Sequence, residues 1–152
     1  MKAEISIARE TQELEEAYLL RWTILRKPWQ QPKGSEQDEL EAESITVVAR
    51  ENKLIVGTGR VHMAAPGVGQ IRYMAVAGEV QGKGVGKQIL CMLEEEINKR
   101  GAQKVFLNSR ENAVKFYLAN GYTLVKEVDK LYGVIRHFLM EKSLLNTHIE
   151  PI

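Results

Sequence analysis

Seven residues, Gln81-Gly82-Lys83-Gly84-Val85-Gly86-Lys87, carry the clearest chemical signal in the chain. Three glycines at alternate positions remove side chains, so backbone N–H groups can close around an anion. A helix starting in the same turn adds the positive end of its dipole, and Lys83 and Lys87 add charge. The chemistry served is the holding of a phosphorylated ligand.

The flanking residues specify how that turn is presented. Ile71 to Ala77 is an apolar run that reads as a strand, and residues 85–100 read as a helix with Ile89, Leu90, Leu93 and Ile97 on one face. Glu95 with Lys99 and Glu96 with Arg100 are spaced as i,i+4 pairs, and Gly101 stops the helix. Upstream, residues 4–8 alternate as a first strand, and Thr11 is placed to cap a helix over about residues 12–26. That helix has Leu14, Ala17, Tyr18, Trp22 and Leu25 on its apolar face, and Pro28 and Pro32 end it. An acidic segment from Glu36 to Glu43 follows. Ile45 to Arg50 and Leu54 to Met63 form a hairpin about Glu51-Asn52-Lys53, with a further turn over Ala64 to Gly69. Lys104 to Asn108 is a strand, Asn112 caps a short helix ending at Asn120-Gly121, and Tyr122 to Val128 pairs with Val134 to Met140. The order β-α-(α)-β-β-β-α-β-α-β-β predicts an α/β (α+β) mixed sheet with helices on both faces, in a single domain over residues 1–152.

Bulk properties exclude several classes. The 152 residues are 44% hydrophobic and 27% charged, which is an ordinary globular composition. A net charge of +1, from 21 basic and 20 acidic residues, gives no support for nucleic acid or a membrane surface as partner. Cys91 is the only cysteine, so an internal disulfide or thiolate metal cluster is ruled out and a reducing, cytoplasmic setting is expected. Its place among the helix's core residues suggests a buried, inert thiol.

Two phosphate motifs fail. A Walker loop requires glycine where Gln81 stands and Ser or Thr where Gln88 stands. A dinucleotide fingerprint requires a third glycine at Lys87, and no acidic residue follows Leu107-Asn108 to hold a ribose. A third pattern fits. Gln81-x-x-Gly84-x-Gly86, between a strand and a long helix, resembles the acetyl-CoA signature of the GNAT N-acetyltransferases. Asn112-Ala113-Val114-Lys115-Phe116-Tyr117-Leu118-Ala119-Asn120-Gly121-Tyr122 resembles that family's later helix, with the alanine displaced to follow the asparagine directly. Leu20 to Arg26 and the strand Gly133 to Met140 are similar to the ElaA/YjcF-type subgroup.

The resemblance implies a cosubstrate, acetyl-CoA, an amine acceptor and no metal, with a homodimer as a common assembly. It implies that Gly82, Lys83, Gly84, Val85, Gly86 and Lys87 hold the pyrophosphate beside Gln81. It implies that Met74, Ala75 and Val76 face the pantetheine arm, the Met74 N–H polarising the thioester, in a slot where that strand bends from the next. Asn112 corresponds to a cofactor-contacting asparagine, and Tyr117 to the tyrosine that protonates the departing sulfur. The general base is not named by any motif. Glu36, Asp38, Glu39, His62, Glu79 and His137 are candidates, water is another, and His137 is preferred because its strand closes near the acceptor side. The acidic segment suits either a cationic acceptor or a solvated capping helix, and Trp22 and Trp29 are candidates for an acceptor pocket. A CoA-binding module without turnover is the alternative to an enzyme, and an intact Tyr117 favours the enzyme.

Overall fold

The computed structural model describes residues 3–145. Seven strands form one sheet: β1 (Glu4–Ile7), β2 (Ile45–Glu51), β3 (Leu54–Ala65), β4 (Val68–Val76), β5 (Lys104–Arg110), β6 (Thr123–Leu131) and β7 (Ile135–Ser143), in the spatial order β1-β2-β3-β4-β5-β7-β6. Three α-helices accompany it: α1 (Thr11–Arg21), α2 (Val85–Lys99) and α3 (Val114–Ala119). The second helical segment of the expected order is carried by a π turn at Trp22–Arg26 and 3-10 turns at Lys27–Trp29 and Glu41–Glu43.

β1 to β4 run antiparallel. The β2–β3 turn has Asn52 and Lys53 at φ 52° and 71°, the two positive values that a two-residue hairpin turn demands. The β3–β4 turn contracts to Pro66-Gly67 because both strands extend further than their apolar runs suggest. α2 then crosses over to place β5 parallel to β4, and β6–β7 closes the sheet as an antiparallel hairpin.

Alternation along β2 assigns the faces. Val47 and Ala49 pack in one core with Ile89, Leu90, Leu93 and Ile97 of α2, while Val48 packs with Ala17 of α1. Each of those four α2 side chains is at most 1% exposed, and such burial stabilises by roughly 1.5–3 kcal/mol per residue. α2 lies close because Gly57 and Gly59 line its track. A Cβ on Gly59 would come within 2.9 Å of Leu93 and 2.5 Å of the Met74 sulfur.

Some local expectations change. Thr11 is the first helical residue, Glu10 is the cap, and no side chain bonds there. The exposed face of α2 pairs Lys99 with Glu96 at i,i+3 and 3.0 Å. Cys91 is exposed, because it lies one residue past the buried Leu90 on the outward side of the helix. Among the described residues no helix is long and apolar enough to cross a membrane.

Candidate active site

β4 and β5 pair only at Val68↔Lys104, Gly69↔Val105 and Gln70↔Phe106, and then part. Their separated ends flank a cavity of about 970 Å³. Its wall includes the expected Met74, Ala75, Val76, Gln81, Gly82, Gly84, Gly86, Lys87, Asn112, Tyr117 and His137. Two expected contacts fall outside it. Lys83 is exposed, and the Val85 side chain is 4% exposed and belongs to the core.

The Gly-rich turn is shaped by two left-handed residues, Gly82 at φ 81° and Gly84 at φ 83°, and Gly84 is the cap of α2. Nothing lies within 4 Å of a Cβ built on either, so the space above the turn is open to a ligand. The Gln81 amide donates to the Val76 carbonyl oxygen at 3.0 Å and ties the turn to the end of β4. Gly86 sits under Phe116, whose ring would be 3.2 Å from an added Cβ. Gly84→Val forces a β-branched residue into the left-handed region, which costs at least roughly 1–2 kcal/mol. We expect it to weaken acetyl-CoA binding by about tenfold or more in calorimetry, with the helical circular dichroism preserved.

The bend in β4 is a bulge. Arg60↔Arg72 and Thr58↔Ala75 are paired, so Tyr73 and Met74 together oppose Gly59. Tyr73 has φ 58°, a strained value for an aromatic residue. Its ring is held among the guanidiniums of Arg21, Arg72, Arg60 and Arg26 at 4.6, 4.7, 5.0 and 5.6 Å. Arg21 and Arg60 are fully buried, and Glu41 bridges them at 3.0 and 2.8 Å. Asp38 joins Arg60 at 2.6 Å and Arg72 at 2.9 Å. Burial pushes the Asp38 carboxyl up, but the Arg60 hydrogen bond and charge outweigh it and hold the group below the usual aspartate range. Within the acidic segment Asp38 and Glu41 are therefore committed to arginines, while Glu39 and Glu43 are exposed. Asp38 and Glu41 hold the arginines that hold the bulge.

Tyr117 is 6% exposed, and burial holds its phenol well above the ordinary value near 10. Its ring is set edge-on between Phe116 and Tyr122 at 5.0 and 5.6 Å. Tyr122 is fixed in turn by donating to Glu94 at 2.8 Å, and Lys142 donates to the same carboxylate at 2.9 Å. Asn112 does not cap α3. Ala113 is the cap residue, no side chain bonds there, and Asn112 is exposed at the cavity wall.

Of the candidate bases only His137 lines the cavity. Burial, Arg110 and Arg26 lower its pKa, which keeps the imidazole neutral as a base must be. His62 is buried beside Arg60 at 3.3 Å, and Glu36 accepts from the Gly34 N–H and the Gln37 amide at 2.8 and 2.7 Å. Asp38 is committed to arginines, and Glu39 and Glu79 are exposed away from the wall. Trp22 and Trp29 also stand off it; the Trp22 indole donates to the Gln31 carbonyl at 3.0 Å.

Sequence reasoning missed Arg26 and Arg110, both in the wall. Residues 21 and 26 are five apart and diverge on a regular α-helix. The π turn at Trp22–Arg26 brings both to Tyr73. A pair of arginines within an otherwise apolar helical stretch was the available signal.

Comparison with known proteins agrees with this geometry. The family pattern described as an acetyltransferase (GNAT) domain matches residues 25–144. The chain is 33% identical over 137 residues to the uncharacterized N-acetyltransferase YjcF of Bacillus subtilis, covering 90% of this chain and 97% of that one. Its fold is similar to Escherichia coli ElaA, with a TM-score of 0.77 at 17% identity, covering 93% and 99% of the two chains. It is also similar to an aminoglycoside 6'-N-acetyltransferase in complex with coenzyme A, with a TM-score of 0.79 at 16% identity and coverage of 98% and 99%. An open Gly-rich turn at the start of α2, a bulged and parted strand, and this family match lead to one statement: the chain belongs to the GNAT family of acetyl-CoA-dependent N-acetyltransferases.

Proposed function

We propose that this single domain transfers the acetyl group of acetyl-CoA to a primary amine by direct attack, with Tyr117 as general acid and His137 as general base. The observation that carries the reading is that one cavity joins the Gly-rich turn, the β4 bulge, Tyr117 and His137. The pyrophosphate takes the backbone of Gly82, Gly84, Gly86 and Lys87, which line the cavity, and Asn112 offers its amide to the same cosubstrate. The pantetheine lies along Met74, Ala75 and Val76, where β5 has left the ladder.

The amine loses a proton to His137, directly or through water, and its nitrogen bonds to the thioester carbon. The Met74 N–H, within the bulge, faces the oxygen that gains charge. The C–S bond then breaks and the sulfur takes the Tyr117 proton, leaving CoA thiol and an N-acetyl amine. Burial keeps the phenol protonated until that moment, and the charge developing on the sulfur draws the proton across.

The test is CoA thiol release over a panel of amines. His137→Ala should lower kcat while the acetyl-CoA dissociation constant holds. Because burial and the neighbouring arginines lower the His137 pKa, the wild-type acid limb should fall below the ordinary histidine value. That limb should vanish in the variant. Unchanged turnover and an unchanged pH–rate profile would remove His137 from the mechanism. Acetyl-CoA binding with no release on any amine would favour a CoA-binding module.

A further inference from the structure

We infer that the amine acceptor carries an anionic group, a carboxylate or a phosphate, which Arg26 and Arg110 bind; this rests on the acetyltransferase reading above. Among the described residues no Asp or Glu lines the cavity, while Arg26, Arg72, Lys87 and Arg110 do. Lys87 belongs to the Gly-rich turn, and Arg72 is balanced by Asp38 at 2.9 Å. Arg26 and Arg110 have no such partner among the described residues.

The two arginines converge on one point. Arg110 donates to the Leu25 carbonyl oxygen at 2.9 Å, and Arg26 donates to the same oxygen at 3.4 Å and to the Ser35 carbonyl at 3.0 Å. Arg26 is only 9% exposed, and its guanidinium also lies near the Tyr132 ring at 6.0 Å. Two like charges gathered at low exposure, with only neutral carbonyls and rings as partners, are destabilised relative to the same pair holding an anion. Each guanidinium keeps donors beyond those bonds, in the planar fork that suits carboxylate or phosphate oxygens.

Their place in the cavity makes the anion part of the acceptor. Arg110 is the register partner of His137, the proposed base, and Arg26 comes from the π turn after α1; all three line the same cavity. An anionic group held there leaves an attached amine beside His137. A polycation entering the same space would meet two uncompensated arginines and no carboxylate.

Matched amines decide it: β-alanine against β-alaninamide, phosphoethanolamine against ethanolamine, and spermidine as the polycation. The anionic member of at least one pair should lead in kcat/KM by about tenfold or more, mainly through KM; which pair shows it separates carboxylate from phosphate. Arg110→Met should reduce that lead to about twofold at unchanged acetyl-CoA affinity, and Arg110→Glu should shift preference towards spermidine. Arg26→Met is a second arm, with folding checked by circular dichroism. Preference for the neutral amines or spermidine would overturn the inference. So would a lead that survives Arg110→Met, or a tenfold loss of acetyl-CoA affinity in that variant, which would give the arginines to the donor. Calorimetry on CoA-saturated protein with N-acetyl-β-alanine and N-acetylphosphoethanolamine separates the two readings. Binding that Arg110→Met abolishes, without turnover of any amine, leaves the anion site standing and removes the transferase reading. Absence of both binding and turnover overturns the anion site as well.

Discussion

Tyr117→Phe should lower kcat by roughly a hundredfold or more, with the acetyl-CoA dissociation constant within about twofold of wild type. In the proposed mechanism this variant lacks its general acid, so the thiolate must leave unprotonated and the chemical step slows. Burial is the cause that raises the phenol, so its protonated form persists across the working pH range. Wild-type kcat should accordingly show no alkaline limb belonging to this group below about pH 10. Little stability should be lost, since phenylalanine keeps the ring contacts with Phe116 and Tyr122. Stopped-flow thiol release separates chemistry from product release; a variant with wild-type single-turnover rate would take the proton donation away from Tyr117.

Glu41→Ala should destabilise the fold by about 3–5 kcal/mol, a fall in Tm of roughly 10 °C or more for a chain of this size. Arg21 is fully buried and Glu41 is the carboxylate that pairs with it. Its remaining partners, the Glu36 carbonyl at 3.2 Å and the Thr46 hydroxyl at 3.3 Å, are neutral. Arg21→Met combined with Glu41→Leu should recover much of the loss, because Arg21 is no longer stranded and the buried Arg60 keeps Asp38 as its partner. Asp38 behaves differently. Its folded pKa is depressed, so its stabilisation is complete above the ordinary aspartate value and is lost as pH falls through the folded value. Asp38→Asn should therefore flatten the acid side of the stability profile below about pH 4. Denaturant unfolding of the three variants at two pH values measures all of this.

The parts legible from sequence were those that a local backbone demand enforces. Gly82 and Gly84 take left-handed values that L residues avoid, so the shape of this turn was legible. Ile89, Leu90, Leu93 and Ile97 repeat at helical spacing and are all buried. The motif for Tyr117 and the strand position for His137 lead to the cavity wall, where both side chains lie. What escaped depends on contacts distant in sequence. Nothing local requires Tyr73 to adopt φ 58°; four arginines from α1, the π turn, β3 and β4 surround it. The acidic segment looked like a wet surface because its partners, Arg21 and Arg60, lie 20 and 19 residues from Glu41. Arg26 was hidden by a π turn that breaks the period on which helix reading relies.

The three rungs joining β4 to β5 divide the sheet into two rafts, β1–β4 and β5–β7, with a seam left largely unsewn. A seam of this kind is where local opening is cheapest and amide hydrogens exchange soonest. A pantetheine arm lying along Met74 to Val76 would act as the missing thread. The donor would then be part of the architecture as well as a reagent, and its departure as free CoA at the end of each cycle would loosen the same seam that the next acetyl-CoA must close.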